Sequence, residues 1–215
     1  MAGVPAGLDA VTLDPGTTLL VTGPVMTGKR RLALDLLSRH AGAEDTVFVT
    51  TRKDAETIER EFAARAGDEA ATRLSVVDCV GGTAGVRARD DGRRRYVSTP
   101  GDLTGIGIAV TGFLRERHAR GERANLGLHS LSTMVMYADF RRVFQFLHVV
   151  VGRVSAADFR GVFTVDTSVV DDRQLDVLTQ PFDARLDVRE RGNEREFRVR
   201  GHDVGPRTWT ALDGT

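Results

Sequence analysis

Apolar stretches of two different periodicities alternate along most of the chain. Short runs of β-branched and other apolar residues, such as 17–22 and 47–50, are typical of buried strands. After each of these runs, apolar residues recur at helical spacing, first beyond Lys29 and then beyond Asp54. Further strands are predicted at 74–77, 126–128 and 162–165, and further helices begin near Asp102, Phe140 and Asp171. This alternation predicts an α/β fold, with a mostly parallel sheet flanked by helices.

Two segments depart from the alternating pattern. Residues 80–98 are rich in Gly and Arg and have no periodicity, so they are predicted to form a mobile loop. Apolar and charged residues alternate strictly at 186–189 and 197–200, with a Gly-Asn pair between them, which predicts an antiparallel β-hairpin over about 185–201. We interpret residues 1–215 as a single domain, which is long enough to bury a sizeable core.

Composition excludes several classes of protein. The 30 basic and 30 acidic residues balance, so no overall positive field favours nucleic acid or an anionic membrane as a partner. Cys79 is the single cysteine, which excludes an intrachain disulfide and a cysteine metal cluster. No segment has the roughly 18 apolar residues of a membrane span, and the first residues do not have the pattern of a signal peptide. We therefore expect a cytoplasmic protein with neither a membrane nor a nucleic-acid partner.

One motif carries recognisable chemistry. Residues 23–29 have the pattern Gly-x4-Gly-Lys between a predicted strand and a predicted helix. A loop of this kind, called here the phosphate loop (residues 23–29), directs backbone N–H groups and a helix N-terminus at a phosphate, and its lysine adds a positive charge. The motif normally continues with a Ser or Thr that helps to hold Mg²⁺, and this chain has an arginine there. The predicted nucleotide ligands are Gly23, Thr27, Gly28, Lys29 and Arg30.

In their order and spacing, these segments resemble the KaiC-like branch of the RecA superfamily of ATPases. The resemblance extends over nearly the whole chain and includes Gly7-Leu8-Asp9, the phosphate loop, the strand at 47–50, His129-Ser130-Leu131-Ser132 and Arg198-Val199-Arg200-Gly201. It is strongest toward haloarchaeal proteins of this group, and the ratio of 28 Arg to two Lys fits such an origin. The resemblance implies a RecA-like core that binds ATP.

Three departures from the family pattern fall on the residues that carry its chemistry. By alignment, the metal-binding Ser or Thr is Arg30, the catalytic carboxylate is Arg52 and the Walker B aspartate is His129. Arginine neither binds a metal cation nor accepts a proton at neutral pH, and histidine is a poor ligand for Mg²⁺. We therefore expect binding of ATP or another polyphosphate with little or no hydrolysis. Because arginine itself can offset phosphate charge, this binding would not need Mg²⁺. The protein would act in regulation or signalling, either by binding nucleotide or by keeping the fold only to bind protein partners.

Two alternatives stay open at this point. The protein is an active ATPase if its metal ion is held instead by Asp78 or Asp166, each of which ends a predicted strand. It is a recombinase-like DNA-binding paralogue if its loops carry basic patches, although the neutral net charge weighs against this.

A further pair of basic residues lies on the predicted hairpin. Arg198 and Arg200 would share one face of an alternating strand. The family resemblance implies that this pair reaches the nucleotide of a neighbouring subunit in a ring, a role that requires a homo-oligomer. The competing interpretation is a solvated face of a charged hairpin.

Overall fold

The computed structural model describes residues 6–81, 90–192 and 194–212. Its strands are β1 (Thr18–Gly23), β2 (Asp45–Thr50), β3 (Leu74–Asp78), β4 (Arg94–Tyr96), β5 (Ala124–His129), β6 (Arg160–Asp166), β7 (Ala184–Arg191), β8 (Glu194–Gly201) and β9 (Thr210–Ala211). Its helices are α1 (Lys29–Ser38), α2 (Ala55–Ala66), α3 (Asp68–Ala71), α4 (Leu103–Ala119), α5 (Leu131–Tyr137), α6 (Phe140–Ala156) and α7 (Asp172–Thr179), and a 3₁₀ turn covers Ala6–Ala10. None of the helices in these ranges is both long and apolar enough to cross a membrane.

The strands of the described chain form one sheet in the order β4-β3-β2-β5-β6-β1-β7-β8-β9. Neighbouring strands from β4 to β7 are parallel, whereas β7, β8 and β9 pair antiparallel. Helices follow β1, β2, β4, β5 and β6, and each carries the chain back to the end of the sheet at which the next parallel strand begins. The predicted α/β fold with a C-terminal antiparallel hairpin is confirmed.

The sheet is buried on both faces. Along β2, Val47 and Val49 belong to one apolar cluster, while Phe48 between them belongs to the other. Successive side chains of a strand point to opposite faces, so a strand covered on both sides reads as a continuous apolar run. One cluster takes in the apolar faces of α4, α6 and α7, and the second takes in those of α1 and α2. The packing of helices on both faces of the sheet fixes the carboxyl ends of the strands relative to one another.

The strand register brings polar residues together at one edge. In the pairing of β1 with β6, Gly23 lies opposite Asp166, and in the pairing of β2 with β5, Thr50 lies opposite His129. Ligands of open α/β sheets bind outside the carboxyl ends of the strands. The phosphate loop therefore begins beside Asp166.

The expectation of a loop throughout residues 80–98 was wrong for its last part. Arg94–Tyr96 form β4, which pairs in parallel with β3. Three residues are too few to show an alternating pattern, and tertiary contact holds them instead, since the Arg94 guanidinium binds Glu59 of α2 with its Nε 2.8 Å from Oε1. Residues 82–89 of the predicted loop lie outside the described residues.

Candidate functional site

The phosphate loop connects β1 directly to α1. Gly28 has φ +81°, a left-handed conformation that favours glycine, and it immediately precedes the first residue of α1. Gly23 is also constrained, because a methyl group on it would lie 2.7 Å from the carbonyl oxygen of Val188 in β7. The hydroxyl of Thr27 donates to the carbonyl oxygen of Pro24 at 2.9 Å, within the loop. The loop thus leads into the helix N-terminus that its sequence predicted, through a left-handed turn at Gly28.

Lys29 lies inside the loop rather than in solvent. It is 3% exposed, and its ammonium donates to the carbonyl oxygens of Gly23, at 2.9 Å, and Pro24. The same ammonium forms an ion pair with Asp166, with Nζ 2.6 Å from Oδ1. Burial lowers the pKa of Lys29, and the hydrogen bond and charge of Asp166 oppose that shift. The carboxylate of Asp166 therefore holds the Lys29 ammonium inside the loop.

Arg52 and His129 reach the same place from β2 and β5. Arg52 is half exposed, and its Nη1 lies 3.4 Å from Oδ2 of Asp166. His129 is 6% exposed, and its Nδ1 lies 2.7 Å from the hydroxyl of Thr164. Burial, followed by the charges of Arg30, Arg52 and Lys29, lowers the pKa of His129 to about 3. His129 is consequently neutral at physiological pH and adds no charge to the site.

Arg30 points from the start of α1 toward α2. Its guanidinium binds both carboxylate oxygens of Glu61, with Nη2 2.7 Å from Oε1 and Nε 3.0 Å from Oε2. Such a fork is a strong and directional contact. Arg30 therefore ties α1 to α2, and the carboxylate of Glu61 offsets part of its charge.

These residues surround a cavity of about 500 Å³ at the mouth of the loop. The described residues that line it are Val25, Met26, Gly28, Lys29, Arg30, Arg31, Arg52, Lys53, His129, Asp166 and Arg195. Six of them are cationic, and Asp166 is the one carboxylate among them. A concave site of one charge sign concentrates ions of the opposite sign.

Residues 16–188 match the sequence profile of a family of unknown function, DUF7504. The chain belongs to this family. No functionally curated protein matches it. Among solved structures, a KaiC-like protein from the hyperthermophilic archaeon Pyrococcus horikoshii OT3 is similar in structure, with a TM-score of 0.67 and 16% sequence identity over 98% of this chain and 91% of that one. At this identity the likeness shows a shared fold, which confirms the RecA-like architecture expected from the sequence.

Arg195 is a member of the site that the sequence reasoning missed. It lies on β8, and a methyl group added to Gly28 would lie only 2.5 Å from its Nη1, so the guanidinium covers the end of the phosphate loop. A signal was present in the sequence. Side chains two residues apart in a strand lie on the same face. Arg195 therefore shares the face of β8 on which Phe197 and Val199, the two buried residues of this strand, lie.

Arg198 and Arg200 share the opposite face of β8 and converge on one carboxylate. Their Nε atoms lie 3.3 Å and 2.8 Å from Oδ2 of Asp187 in β7. The other oxygen of Asp187 accepts from the hydroxyl of Thr22, at 2.8 Å, and from Nε of Arg185, at 2.6 Å. Neither Arg198 nor Arg200 lines the loop cavity. The contact with a neighbouring subunit stays a prediction.

The carboxylates offered as substitute metal ligands differ in their surroundings. Asp78 accepts three backbone N–H groups, from Ala55 at 2.8 Å, Val80 at 2.7 Å and Gly81 at 2.8 Å, and it does not line the cavity. Asp166 does line the cavity, but its oxygens already face two cations. Across the described residues, no three His, Cys, Asp or Glu side chains are grouped to hold a metal ion. The described lining residues offer a single carboxylate to a metal ion, and the cations of Lys29 and Arg52 already pair with it.

Proposed function

We propose that this protein binds a nucleoside triphosphate, or another polyphosphate, at the phosphate loop without a metal ion and with little or no hydrolysis. The observation that carries the proposal is the charge of the loop cavity, where six cationic side chains face the single carboxylate of Asp166 among the described lining residues. A cavity of about 500 Å³ is within the size range of small-molecule sites.

Backbone geometry supports an anionic ligand independently of these side chains. The first N–H groups of an α-helix have no partner within the helix, and α1 begins at Lys29 directly behind the turn at Gly28. Together with the helix dipole, these donors favour a phosphate at the helix N-terminus. On binding, a phosphate would replace Asp166 as the partner of the Lys29 ammonium.

The donor set supports binding without metal. In phosphoryl-transfer enzymes Mg²⁺ bridges the phosphates and offsets their charge. Here the positions that would contribute oxygen ligands hold Arg30 and His129. Guanidinium groups offset phosphate charge directly through paired hydrogen bonds, so the side chains of this cavity can take over the role of the cation.

The same residues disfavour hydrolysis. A general base works best with a pKa near the operating pH, whereas the pKa of His129 is about 3 and its Nδ1 faces Thr164. Arg52 cannot accept a proton at neutral pH. A protein that binds a triphosphate and does not consume it reports the ligand concentration, which suits a regulatory or signalling component.

Calorimetric titration with ATP tests this proposal, run in excess chelator and again in excess Mg²⁺. We expect binding in both conditions. Lys29→Ala should weaken it by about tenfold or more, because a charged phosphate contact is lost. Asp166→Asn should strengthen it, because the one competing carboxylate is removed. As a control, Arg120→Ala removes an exposed charge outside the cavity and should leave the affinity unchanged.

Two results would contradict the proposal. Binding that requires Mg²⁺ would exclude the metal-independent mode. Steady release of phosphate from ATP that disappears in Lys29→Ala would instead support the active ATPase.

A further inference from the structure

We propose that the groove between α4 and α6 binds an amphipathic helix of a partner protein, one that carries acidic residues beside its apolar face. This groove, called here the α4–α6 groove, is bounded by Leu103 and Arg115 on α4 and by Arg142 and Arg153 on α6. None of the described residues that line it also lines the loop cavity. The proposal therefore does not depend on ligand binding at the phosphate loop.

Apolar side chains are exposed along the α4–α6 groove. Ile108 is 68% exposed and Val149 is 51% exposed, and both line it. Its floor contains Leu103 and Val150, which are buried in one of the two apolar clusters of the fold. Helices α4, α5 and α6 carry four of the seven large apolar side chains that the described chain exposes: Ile108, Met136, Tyr137 and Val149. Such a concentration of exposed apolar side chains is typical of a protein interaction site.

The groove is long enough for one helix. It consists of two adjoining hollows of about 450 and 320 Å³, which share Leu103, Gly107 and Arg153 among their lining residues. Along α4 it extends from Leu103 to Arg115, which is about 18 Å at a rise of about 1.5 Å per residue. About three turns of a docked helix would cover this distance.

Gly107 keeps the middle of the groove open. Among the described residues, a methyl group on Gly107 would have only the ring of Phe146 within 4 Å, at 3.7 Å, which is an ordinary contact. The packing of α4 against α6 therefore does not require glycine here, although glycine is less favourable than alanine inside a helix. A longer side chain at this position would project into the groove.

The charge along the groove is positive. Arg95, Arg115, Arg142 and Arg153 line it, and its described lining residues include no Asp or Glu. Arg95 pairs with Glu116, with Nη2 2.9 Å from Oε1. Within the described part of the chain, the other three arginines have no carboxylate within 4.0 Å. Because the charges of the whole chain balance, this is a local excess, and acidic side chains complement it.

The walls of the groove favour a helix over an extended peptide as the occupant. An extended peptide gains main-chain hydrogen bonds where it adds to an open sheet edge. The α4–α6 groove is formed by two helices, whose interior backbone groups are bonded within each helix. A docked helix satisfies its own backbone and needs only an apolar stripe that faces the groove. Acidic residues beside that stripe would meet Arg115 in one hollow and Arg142 in the other.

The exposed apolar residues of the groove also favour protein over nucleic acid. Proteins that bind single strands stack the bases on aromatic rings. The exposed apolar side chains that line this groove, Ile108 and Val149, are aliphatic. Aliphatic side chains pack well against the leucines of an amphipathic helix and offer no surface for stacking.

Fluorescence anisotropy with a synthetic peptide tests the proposal. The probe is a labelled peptide of about 18 residues, long enough to form a helix, with leucine at every third or fourth position and glutamate on its other faces. A matched probe has lysine in place of glutamate. We expect the acidic probe to bind, with an affinity that falls as the salt concentration rises, and the basic probe to bind at least about tenfold more weakly.

Variants of the groove should weaken binding of the acidic probe. Gly107→Leu fills the middle of the groove and should weaken it by about tenfold or more. Arg115→Ala combined with Arg142→Ala removes two exposed charges and should weaken it by about fivefold. Arg141→Ala is the matched control, because Arg141 is an exposed arginine of α6 outside the groove, and it should leave the affinity unchanged. Circular dichroism verifies the fold of each variant.

Several results would overturn the proposal. The groove is excluded if the acidic probe does not bind, or if Gly107→Leu and the double arginine variant both leave its affinity unchanged. Charge complementarity is excluded if the acidic and basic probes bind equally. If Ile108→Glu abolishes self-association of the unmodified protein in sedimentation, the occupant is a second copy of this chain. If it abolishes binding to phosphatidylglycerol vesicles or to single-stranded DNA, the occupant is a lipid surface or a nucleic acid.

Discussion

At the scale of single residues, His129 shows how its surroundings set its chemistry. The ring is buried against Thr164, and Arg30, Arg52 and Lys29 all act on it electrostatically. Burial and these cations both disfavour the protonated ring, so its pKa falls to about 3 from an ordinary value near 6.5. His129, which the resemblance aligns with a metal-binding aspartate, is therefore neutral at physiological pH. We therefore expect His129 to affect the stability of the fold more than it affects the charge that the site presents to a ligand.

The depressed pKa of His129 predicts acid sensitivity. As the pH falls below about 6.5, the unfolded chain takes up the proton while the folded chain does not, so stability is full above pH 6.5 and falls progressively toward pH 3. At pH 5 the loss from this one group should be about 2 kcal/mol. His129→Asn removes the titration and can keep a hydrogen bond to Thr164. Urea unfolding of both proteins at pH 7 and pH 5 measures the difference, and an equal loss in both would contradict it.

At the scale of elements, buried carboxylates join segments that are distant in sequence. Asp78 at the end of β3 accepts the first N–H of α2 and two N–H groups of the turn that follows β3. Asp187 joins β7 to β1 through Thr22 and to β8 through Arg198 and Arg200. These contacts give Asp78 and Asp187 partners within the chain and tie together elements that are far apart in sequence.

Removal of the Asp78 carboxylate should therefore affect folding and leave ligand binding unchanged. Asp78→Ala deprives three backbone donors of their acceptor, and we expect a loss of about 2–4 kcal/mol of unfolding free energy, measured in urea. Affinity for ATP should stay within about twofold, because Asp78 does not line the cavity. Asp54, the exposed N-cap of the same helix, gives the control, and Asp54→Ala should cost about 1 kcal/mol. Loss of ATP binding without loss of stability in Asp78→Ala would instead identify Asp78 as a ligand.

At the scale of the whole molecule, the cavity joins parts of the sheet that differ in topology. Lys29, Arg52, His129 and Asp166 follow or end parallel strands, whereas Arg195 comes from the antiparallel part. A ligand held by both parts would link the hairpin to the parallel sheet. Its binding free energy would then stabilise the fold as a whole.

Ligand binding should appear as a rise in the thermal midpoint of unfolding. At a concentration of ATP about 100 times its dissociation constant, the folded state gains about 2.7 kcal/mol. For a chain of this length, that gain corresponds to a shift of roughly 5–10 °C in differential scanning fluorimetry. We expect the same shift in chelator as in Mg²⁺, and little shift for Lys29→Ala at the same ATP concentration. A shift confined to the Mg²⁺ sample would contradict metal-independent binding.

Much of the fold and part of the site followed from the sequence. The order of strands and helices was predictable because the periodicity lies in contiguous residues. The loop at 23–29 was predictable because its glycines and lysine occur at fixed spacing between a strand and a helix. The short strand β4 was missed, since its pairing with β3 is tertiary. Arg52 and His129 were identified as candidate site residues only through the family resemblance, and in the structure both line the cavity.

The sequence by itself determined the α/β alternation, the Gly-x4-Gly-Lys loop, the hairpin and the arginine that directly follows the loop lysine. Only the tertiary structure decided that Asp166 pairs with Lys29, that Glu61 holds Arg30 and that Arg195 covers Gly28. The physical reason is that local pattern encodes which residues form an element and which face is buried. Strand order and register decide which distant side chains meet, and burial among those side chains then decides their charge.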